Sequence, residues 1–266
     1  MLLIIAANQL IYAAIVPVIF FHAGFSEDSY KVLESKDDTS EIHIAGQDPD
    51  ADLYGWRAGK NEKRILLYFG GDSVDTSKWL EEVYQYSDSS FFEPFTLLTV
   101  DYPTFGKSRG IISESKFYRT AERLYNYAIE KYPDAKIYAM GYSIGASAAL
   151  QLSTNVSLDG LILVAPMYDG TTMYFPRGSL LHDTFEQIAT VQMQNDEYAK
   201  NSYSNCLVIA SKTDRMTKLD DINALCDLFQ TKPDILILEA CGHGEYWKQS
   251  DTYSAVTNYF DAETIE

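Results

Sequence analysis

The sequence predicts an α/β fold: a mostly parallel sheet with an antiparallel N-terminal hairpin and helices on both faces. Strand-like and helix-like segments alternate along most of the 266 residues, which is typical of a layered sheet with right-handed crossovers. Several strand-like segments are continuous apolar runs, as expected for parallel strands covered on both faces. A Gly-x-Ser-x-Gly sequence also lies between one such strand and a helix. A chain of this length is expected to form one domain.

The first 24 residues form an apolar leader ahead of that domain. Residues 1–21 carry no charge and are long enough to span a bilayer, whereas the apolar core of a signal peptide is shorter, about 7–15 residues. An uncleaved membrane anchor is the preferred interpretation, followed by a cleaved signal and then by a buried helix. The acidic residues Glu27 and Asp28 favour a non-cytoplasmic domain. The protein is therefore expected to be membrane-anchored or exported.

The domain itself is expected at residues 41–266, after a polar linker at 25–40. Residues 41–45 and 53–58 alternate in polarity around a turn, which predicts the antiparallel hairpin. Parallel strands are expected at 64–69, 95–100, 135–140, 161–164, 206–210 and 235–238, with helices near 76–84, 114–131, 146–150, 219–229 and 246–260. The carboxyl ends of parallel strands meet at one edge of the sheet, where a ligand site is expected.

Residues 167–205 interrupt this alternation. The segment is rich in aromatic residues and methionine and contains no clear parallel strand. A short lid over an apolar site explains such a composition, and so do helices packed on the sheet. Both interpretations are left open.

Charge and cysteine content narrow the classes of partner. With 38 acidic and 21 basic residues the formal net charge is −17, which repels phosphate backbones and argues against nucleic-acid binding. The three cysteines, Cys206, Cys226 and Cys241, form no Cys-x-x-Cys pair, so neither a metal site nor a redox motif is expected. Buried free thiols are the expected state, and a Cys206–Cys226 disulfide is the alternative for an exported domain.

The sequence Gly-Tyr-Ser-Ile-Gly at 141–145 predicts a nucleophile elbow. It follows a strand and opens a helix of small residues, so the turn between them must be tight. A side chain at Gly141 or Gly145 would collide with neighbouring backbone, and Ser143 is held in a strained conformation with its hydroxyl accessible. Ser143 is therefore the candidate nucleophile.

Two further residues complete a candidate catalytic triad with Ser143. Asp214 and His243 also follow directly after predicted strands, so they reach the same edge of the sheet. A serine hydroxyl needs a base to take its proton, and a histidine oriented by a carboxylate does this well. The chain order Ser-Asp-His is that of the α/β hydrolases. The competing acids and histidines are expected elsewhere: Asp220 and Asp221 on the next helix, His22 in the leader, His43 on the hairpin and His182 within 167–205.

Backbone N–H groups beside the nucleophile are candidates for stabilising the negative oxygen of a tetrahedral intermediate. One is the N–H of Ile144 at the start of the helix. The other comes from the glycine turn after the strand at 64–69, with Asp72 preferred and Gly71 next to it. The candidate substrate-binding residues are Gly70 and Tyr142.

Over about residues 50–260 these motifs resemble the α/β-hydrolase superfamily, and within it the small-lidded serine-hydrolase branch with serine-aminopeptidase-like and esterase-like members. The elbow, Asp214 and His243 match the pattern of the superfamily fully. Two blocks match with one departure each: residues 66–72 are similar to a strand followed by His-Gly-x, with Gly70 in place of the histidine, and residues 101–110 are similar to an Asp-Tyr-x-Gly-aromatic-Gly-x-Ser-x-Gly loop, with Thr104 where glycine is usual.

The resemblance implies an α/β-hydrolase fold and a serine hydrolase that forms an acyl-enzyme without a cofactor or metal. An ester is the preferred substrate class, with an amide or a thioester second. The aromatic and methionine content of residues 167–205 favours an apolar acyl group. A non-catalytic binding protein of the same fold and an acyltransferase with the same triad are the alternatives.

Overall fold

One eight-stranded sheet organises the part of the chain described by a computed structural model, residues 22–46, 51–188 and 191–262. The strands are β1 (Thr39–Ile44), β2 (Leu53–Ala58), β3 (Arg64–Phe69), β4 (Thr96–Val100), β5 (Lys136–Tyr142), β6 (Gly160–Val164), β7 (Cys206–Ser211) and β8 (Asp234–Leu238). Across the sheet they lie in the order β1-β2-β4-β3-β5-β6-β7-β8. β2 pairs antiparallel with β1 and β4, and the other neighbours are parallel. The predicted sheet and its N-terminal hairpin are confirmed.

The apolar runs form strands because alternate side chains enter two separate cores. In β3, Ile65, Leu67 and Phe69 join the core on one face of the sheet. Leu66 and Tyr68 join the core on the other face. All of these side chains are at most 2% exposed, as expected for a parallel strand covered on both faces. Burial of each such side chain stabilises the fold by roughly 1.5–3 kcal/mol relative to leaving it exposed.

Helices cover both faces of the sheet. Among the described residues they are α1 (Glu27–Glu34), α2 (Thr76–Tyr86), α3 (Glu114–Lys131), α4 (Ile144–Asn155), α5 (Leu180–Ile188), α6 (Asn195–Asn201), α7 (Leu219–Cys226) and α8 (Ser250–Ala262), with a 3₁₀ helix at His243–Lys248. Side chains of α3, α4 and α7 enter one core, and side chains of α1, α2 and α8 enter the other. The apolar face predicted for α3 is buried through Phe117, Ala121 and Leu124.

Residues 25–40, predicted as a linker, instead contain α1 and the start of β1. Leu33 of α1 is fully buried in the core that α2 helps to form. The hydroxyl of Ser29 donates a hydrogen bond to the carboxylate of Glu81 at 2.6 Å. The polar composition that suggested a linker belongs to the exposed face of a short amphipathic helix, which a second helix is needed to stabilise.

The end of the predicted leader contacts the domain. Ala23 is buried, and its carbonyl accepts the N–H of Gly106 at 3.0 Å. The N–H of Ser26 donates to the carboxylate of Asp75 at 2.7 Å. Residues 1–21, on which the membrane prediction depends, lie outside the described residues. In the part of the chain that is described, no helix combines the length and the apolar composition that a membrane span needs.

Residues 167–205 contain α5 and α6 between β6 and β7. α6 packs against α4 through the fully buried Ala199. The side-chain amide of Asn195 donates to the carbonyl of Met167 at 2.9 Å, which ties the start of α6 to the end of β6. By contrast, Leu180 at the start of α5 is 83% exposed. The segment therefore combines a helix packed into the domain with a helix that leaves apolar surface in solvent.

Cys206, Cys226 and Cys241 are free and buried, as the sequence predicted, and the alternative Cys206–Cys226 disulfide is not formed. Burial raises the pKa of the Cys226 and Cys241 thiols to about 11. These groups therefore stay protonated near neutral pH, and a thiol in that state is a poor nucleophile.

Candidate active site

Ser143 lies on a sharp turn between β5 and α4. Its backbone has φ 55° and ψ −119°, in the left-handed region that costs a residue with a side chain about 1–3 kcal/mol. Glycine is required on both sides of it. A Cβ at Gly145 would lie 2.1 Å from the carbonyl oxygen of Phe69, and one at Gly141 would lie 2.2 Å from the carbonyl oxygen of Gly145. The tight turn predicted from the sequence is thus present, but the predicted exposure of Ser143 is wrong: the residue is only 3% exposed, because the glycine turn after β3 and the ring of His243 lie against it.

The structure brings Ser143, His243 and Asp214 into one hydrogen-bonded chain. Ser143 Oγ lies 2.8 Å from His243 Nε2. His243 Nδ1 lies 2.8 Å from Asp214 Oδ2. The Asp214 side chain is fully buried and that of His243 is 14% exposed, so the carboxylate is shielded from solvent while the imidazole is partly exposed. These side chains come from the ends of β5, β7 and β8, as the parallel topology predicted.

Asp214 is surrounded by donors. Its Oδ1 accepts the N–H groups of Met216 and Thr217 at 2.8 and 3.1 Å. Its Oδ2 accepts the hydroxyls of Thr217 at 2.8 Å and Tyr246 at 3.2 Å, in addition to His243. Burial alone would raise the pKa of Asp214, but the hydrogen bond and charge of His243, together with these donors, lower it below its ordinary value. Asp214 is therefore held as a carboxylate.

Tyr142 and Tyr246 hold the histidine and the aspartate in place. The hydroxyl of Tyr142 donates to the backbone carbonyl of His243, and the two rings stack with centroids 5.5 Å apart. Tyr246 is fully buried and points its hydroxyl at Asp214. Tyr142 was predicted to bind substrate, and Tyr246 was not among the predicted site residues. Its position three residues after the candidate base, in the same short helix, is the signal that was available.

The glycine turn after β3 lies against the nucleophile. A Cβ at Gly71 would lie 3.0 Å from the Tyr142 ring and 3.6 Å from Ser143 Cβ. Ile144 is the first residue of α4, and the first N–H groups of a helix have no partner within it. Gly71 and Ile144, two of the candidate oxyanion donors, thus lie next to Ser143.

The Asp72 carboxyl lies in the same turn and close to His243. Burial raises the pKa of Asp72, while the charge of His243, the N–H of Asp72 itself and the hydroxyl of Ser73 act in the opposite direction. The net effect is a pKa above the ordinary value. The turn that carries the candidate oxyanion donors therefore also holds a partly buried acidic side chain.

A cavity of about 300 Å³ opens beside His243. This volume is at the small end of ligand pockets, which run from about 300 to 1,000 Å³. No described residue of 167–205 lines it. Its lining residues are Tyr68, Gly70, Gly71, Asp72, Val74, Thr76, Trp79, Glu82, Tyr142, Met216, His243, Gly244 and Trp247. Both candidate substrate-binding residues, Gly70 and Tyr142, are among them.

The other histidines and acids that the sequence analysis set aside do lie elsewhere. His43 pairs with Asp52 at 3.3 Å on an exposed surface of the hairpin. Asp220 and Asp221 are on α7. His182 is buried in a separate pair, 2.9 Å from Asp169.

No protein-family model and no curated protein matches the sequence, whereas solved structures do. An α/β hydrolase from Vibrio vulnificus is 17% identical with a TM-score of 0.69, over 97% of this chain and 91% of that one. An esterase from Pyrococcus furiosus is 13% identical with a TM-score of 0.68, over 91% and 97%. An α/β serine hydrolase without lid from Xanthomonas campestris is 14% identical with a TM-score of 0.59, over 84% and 94%. The chain has the fold of the α/β-hydrolase superfamily.

Proposed function

We propose that this protein is a serine hydrolase that cleaves acyl esters through a covalent acyl-enzyme. One observation carries the proposal: the strained Ser143 hydroxyl, the His243 imidazole and the buried Asp214 carboxylate form a continuous chain with both links at 2.8 Å. A base that is within hydrogen-bond reach of a nucleophile, and is itself oriented by a third group, is the arrangement that activates a serine.

In the acylation step, Ser143 Oγ attacks the carbonyl carbon of the ester while His243 Nε2 takes the hydroxyl proton. A C–Oγ bond forms, and the carbonyl electron pair moves to oxygen. When the oxyanion collapses, the bond to the leaving oxygen breaks and His243 returns its proton to the departing alcohol. Asp214 keeps the second ring nitrogen of His243 as the donor and stabilises the imidazolium.

Deacylation repeats these chemical steps with water as the nucleophile. His243 takes a proton from water, and the hydroxide oxygen bonds to the acyl carbon. The bond to Ser143 Oγ then breaks, and the serine recovers the proton from His243. The products are a carboxylic acid and an alcohol, and the protein returns to its starting state.

The N–H of Ile144 and an N–H of the turn at Gly71 and Asp72 are the proposed donors to the oxyanion. Their position supports this assignment, because the turn at Gly71 packs against Ser143 and Ile144 is the first residue of α4. Removing one such donor costs an enzyme about 10²–10³-fold in kcat.

The names of the structural neighbours favour an ester over other acyl substrates, since one of them is an esterase and another a serine hydrolase. An acyltransferase would use the same three side chains and differ only in the acceptor that attacks the acyl-enzyme. A non-catalytic protein of this fold has no need for a hydrogen-bonded triad beside an open cavity.

A fluorophosphonate probe and short p-nitrophenyl esters test the proposal. The wild-type protein is expected to be labelled at Ser143 and to release p-nitrophenol and the free acid. Ser143→Ala is expected to lose labelling and at least about 1,000-fold in kcat/KM. Ser147→Ala is the matched control, because Ser147 is fully buried one turn further along α4. Its labelling should match the wild type.

Three outcomes would count against the proposal. Absence of both labelling and hydrolysis in the folded wild type would favour the non-catalytic alternative. Equal labelling in the Ser143→Ala variant would move the nucleophile elsewhere. Consumption of ester without free acid, in the presence of an alcohol or amine acceptor, would indicate acyl transfer instead of hydrolysis.

A further inference from the structure

The cavity beside His243 has aromatic walls. Tyr68 and Trp79 stack on each other with centroids 3.5 Å apart and planes 11° apart. Trp247 stands nearly perpendicular to both, at 85° to Tyr68 and 81° to Trp79. Tyr142 completes the set, with its ring 6.1 Å from that of Trp247. Rings set at right angles around a small space are an arrangement that can surround a compact group.

The charged side chains that line this cavity are acidic. Asp72 lies in the glycine turn after β3, and Glu82 lies on α2. Neither lysine nor arginine is found among the described residues that line it. Burial raises the pKa of the Tyr142 hydroxyl, and the charge of Asp214, followed by those of Asp72, Cys241 and Glu82, raises it further. Asp72 and Glu82 both line the same small space.

A negative charge on Asp72, with no positive charge nearby, would destabilise the oxyanion that forms during ester hydrolysis. The turn that carries Asp72 also supplies the proposed oxyanion donors, and two negative charges at close range repel each other. A positive charge in the cavity would offset this repulsion while the tetrahedral intermediate forms. Aromatic faces attract cations as well, and the attraction is stronger where water is excluded.

We propose that the cavity binds a cationic group of the substrate, so that the preferred esters carry an alkylammonium. This inference rests on the proposed hydrolase activity and names its substrate class. The formal net charge of −17 acts in the same sense, because a strongly negative protein attracts cations to its surface. A neutral apolar acyl group is the competing occupant, and the test below separates the two.

The test compares two esters of equal shape with the purified full-length chain. Choline butyrate carries a trimethylammonium group, and 3,3-dimethylbutyl butyrate replaces its nitrogen by carbon. The charged ester is expected to have a kcat/KM at least about tenfold higher at low salt. A tenfold ratio corresponds to a difference of about 1.4 kcal/mol in activation free energy. Added salt should shrink this ratio, because ions screen exposed charges.

A matched pair of variants locates the effect. Glu82→Gln is expected to lower the ratio of charged to neutral kcat/KM by at least about threefold. Glu62→Gln removes the same charge from an exposed position that is not part of the cavity, and its ratio should equal that of the wild type. If the ratio of charged to neutral kcat/KM were the same in both variants, any preference for the charged ester would come from the net charge of the protein, and the proposal would be overturned.

An inhibition experiment tests binding of a cation in the cavity without using an ester substrate. Tetramethylammonium is expected to slow fluorophosphonate labelling of Ser143, whereas neopentyl alcohol at the same concentration should slow it less. Labelling that tetramethylammonium does not slow, or a neutral ester that is hydrolysed as well as the charged one, overturns the cationic substrate and leaves the hydrolase intact. Failure of labelling altogether refutes the hydrolase itself, so the two failures are distinguishable.

Discussion

Among the described residues, two histidines lie against a buried aspartate, and the two pairs differ in what faces the second ring nitrogen. In the first, His243 lies 2.8 Å from Asp214, and its Nε2 faces the hydroxyl of Ser143. In the second, His182 Nε2 lies 2.9 Å from Asp169, and Nδ1 faces the carboxylate of Asp183 at 3.3 Å. The histidine side chains are 14% and 5% exposed, respectively.

The difference teaches that a close histidine–carboxylate contact is not sufficient for a catalytic base. The nitrogen that must take a proton has to face a hydroxyl, which holds for Nε2 of His243. Both nitrogens of His182 face carboxylates, and Asp169 also accepts the N–H groups of Thr171 and Thr172 at 2.7 Å. The second pair therefore closes the loop after β6 onto α5, and we expect it to act on stability alone.

The largest expected effect comes from exchanging the two histidines for alanine in turn. His243→Ala is expected to lower kcat/KM for a p-nitrophenyl ester by at least about 1,000-fold, because the general base is lost. His182→Ala should keep kcat/KM within about threefold while lowering the free energy of unfolding by about 3–5 kcal/mol, because Asp169 loses its partner. Initial rates and urea unfolding of both variants provide the measurement.

The opposite pattern of results in the two variants would contradict this distinction between the two pairs. A folded His182→Ala protein without activity would place the second pair in the chemistry. A His243→Ala protein with near-normal rates would remove the first pair from it.

A third buried carboxylate sharpens the comparison, because Asp101 lies beside Asp75 instead of a histidine. Burial raises the pKa of Asp101 to about 7; the N–H of Thr76 opposes this shift and the charge of Asp75 adds to it. The folded state then binds this proton more tightly than the unfolded chain does. The contribution of Asp101 to stability is therefore complete below pH of about 4 and is lost as the pH rises through about 7, by about 2–4 kcal/mol.

Urea unfolding between pH 4 and pH 8 measures this loss. Asp101→Asn should flatten the curve in that range, because the amide does not titrate. Asp214 has the opposite sign: its pKa is lowered, so its contribution is present above its ordinary pKa and is lost as the pH falls through the lowered value. An unchanged pH profile in Asp101→Asn would contradict the assignment.

The smallest expected effect is that of Tyr246→Phe, which removes one of the donors to Asp214 at 3.2 Å. Thr217, Met216 and His243 still contact the carboxylate, so the loss is partial. We expect kcat to fall about 3–10-fold and KM to stay unchanged, since a hydrogen bond to a charged group contributes about 1.5–3 kcal/mol before the other donors compensate. Steady-state kinetics of this variant and of Tyr253→Phe, whose hydroxyl contacts the Trp247 carbonyl, give the comparison.

The parts of the site that the sequence predicted are those that depend on short stretches of chain. Ser143 was identified because glycine at 141 and 145 and the change from strand to helix impose one tight turn. Asp214 and His243 were identified because each directly follows a parallel strand, and such strands end at a common edge. Local sterics and topology were sufficient for these three residues.

Features that need a partner far along the chain were missed. The helix at Glu27–Glu34 looked like a linker because its composition is mostly polar, and the burial of Ser29 and Leu33 depends on contacts with α2. Tyr246 and the Asp169–His182 pair show no periodicity or motif. Their roles follow from distances across the fold, which no local pattern encodes.

By itself, the sequence determined the layered sheet, the elbow and the order in which the candidate nucleophile, acid and base reach one edge, because strand periodicity and glycine sterics act within a few residues. Only the tertiary structure decided that His182 lies between two carboxylates and not beside a hydroxyl. It also decided that Trp79, Trp247 and two acids enclose one small cavity. These outcomes depend on packing between elements up to about 170 residues apart, and contacts at that range are selected by the whole core at once.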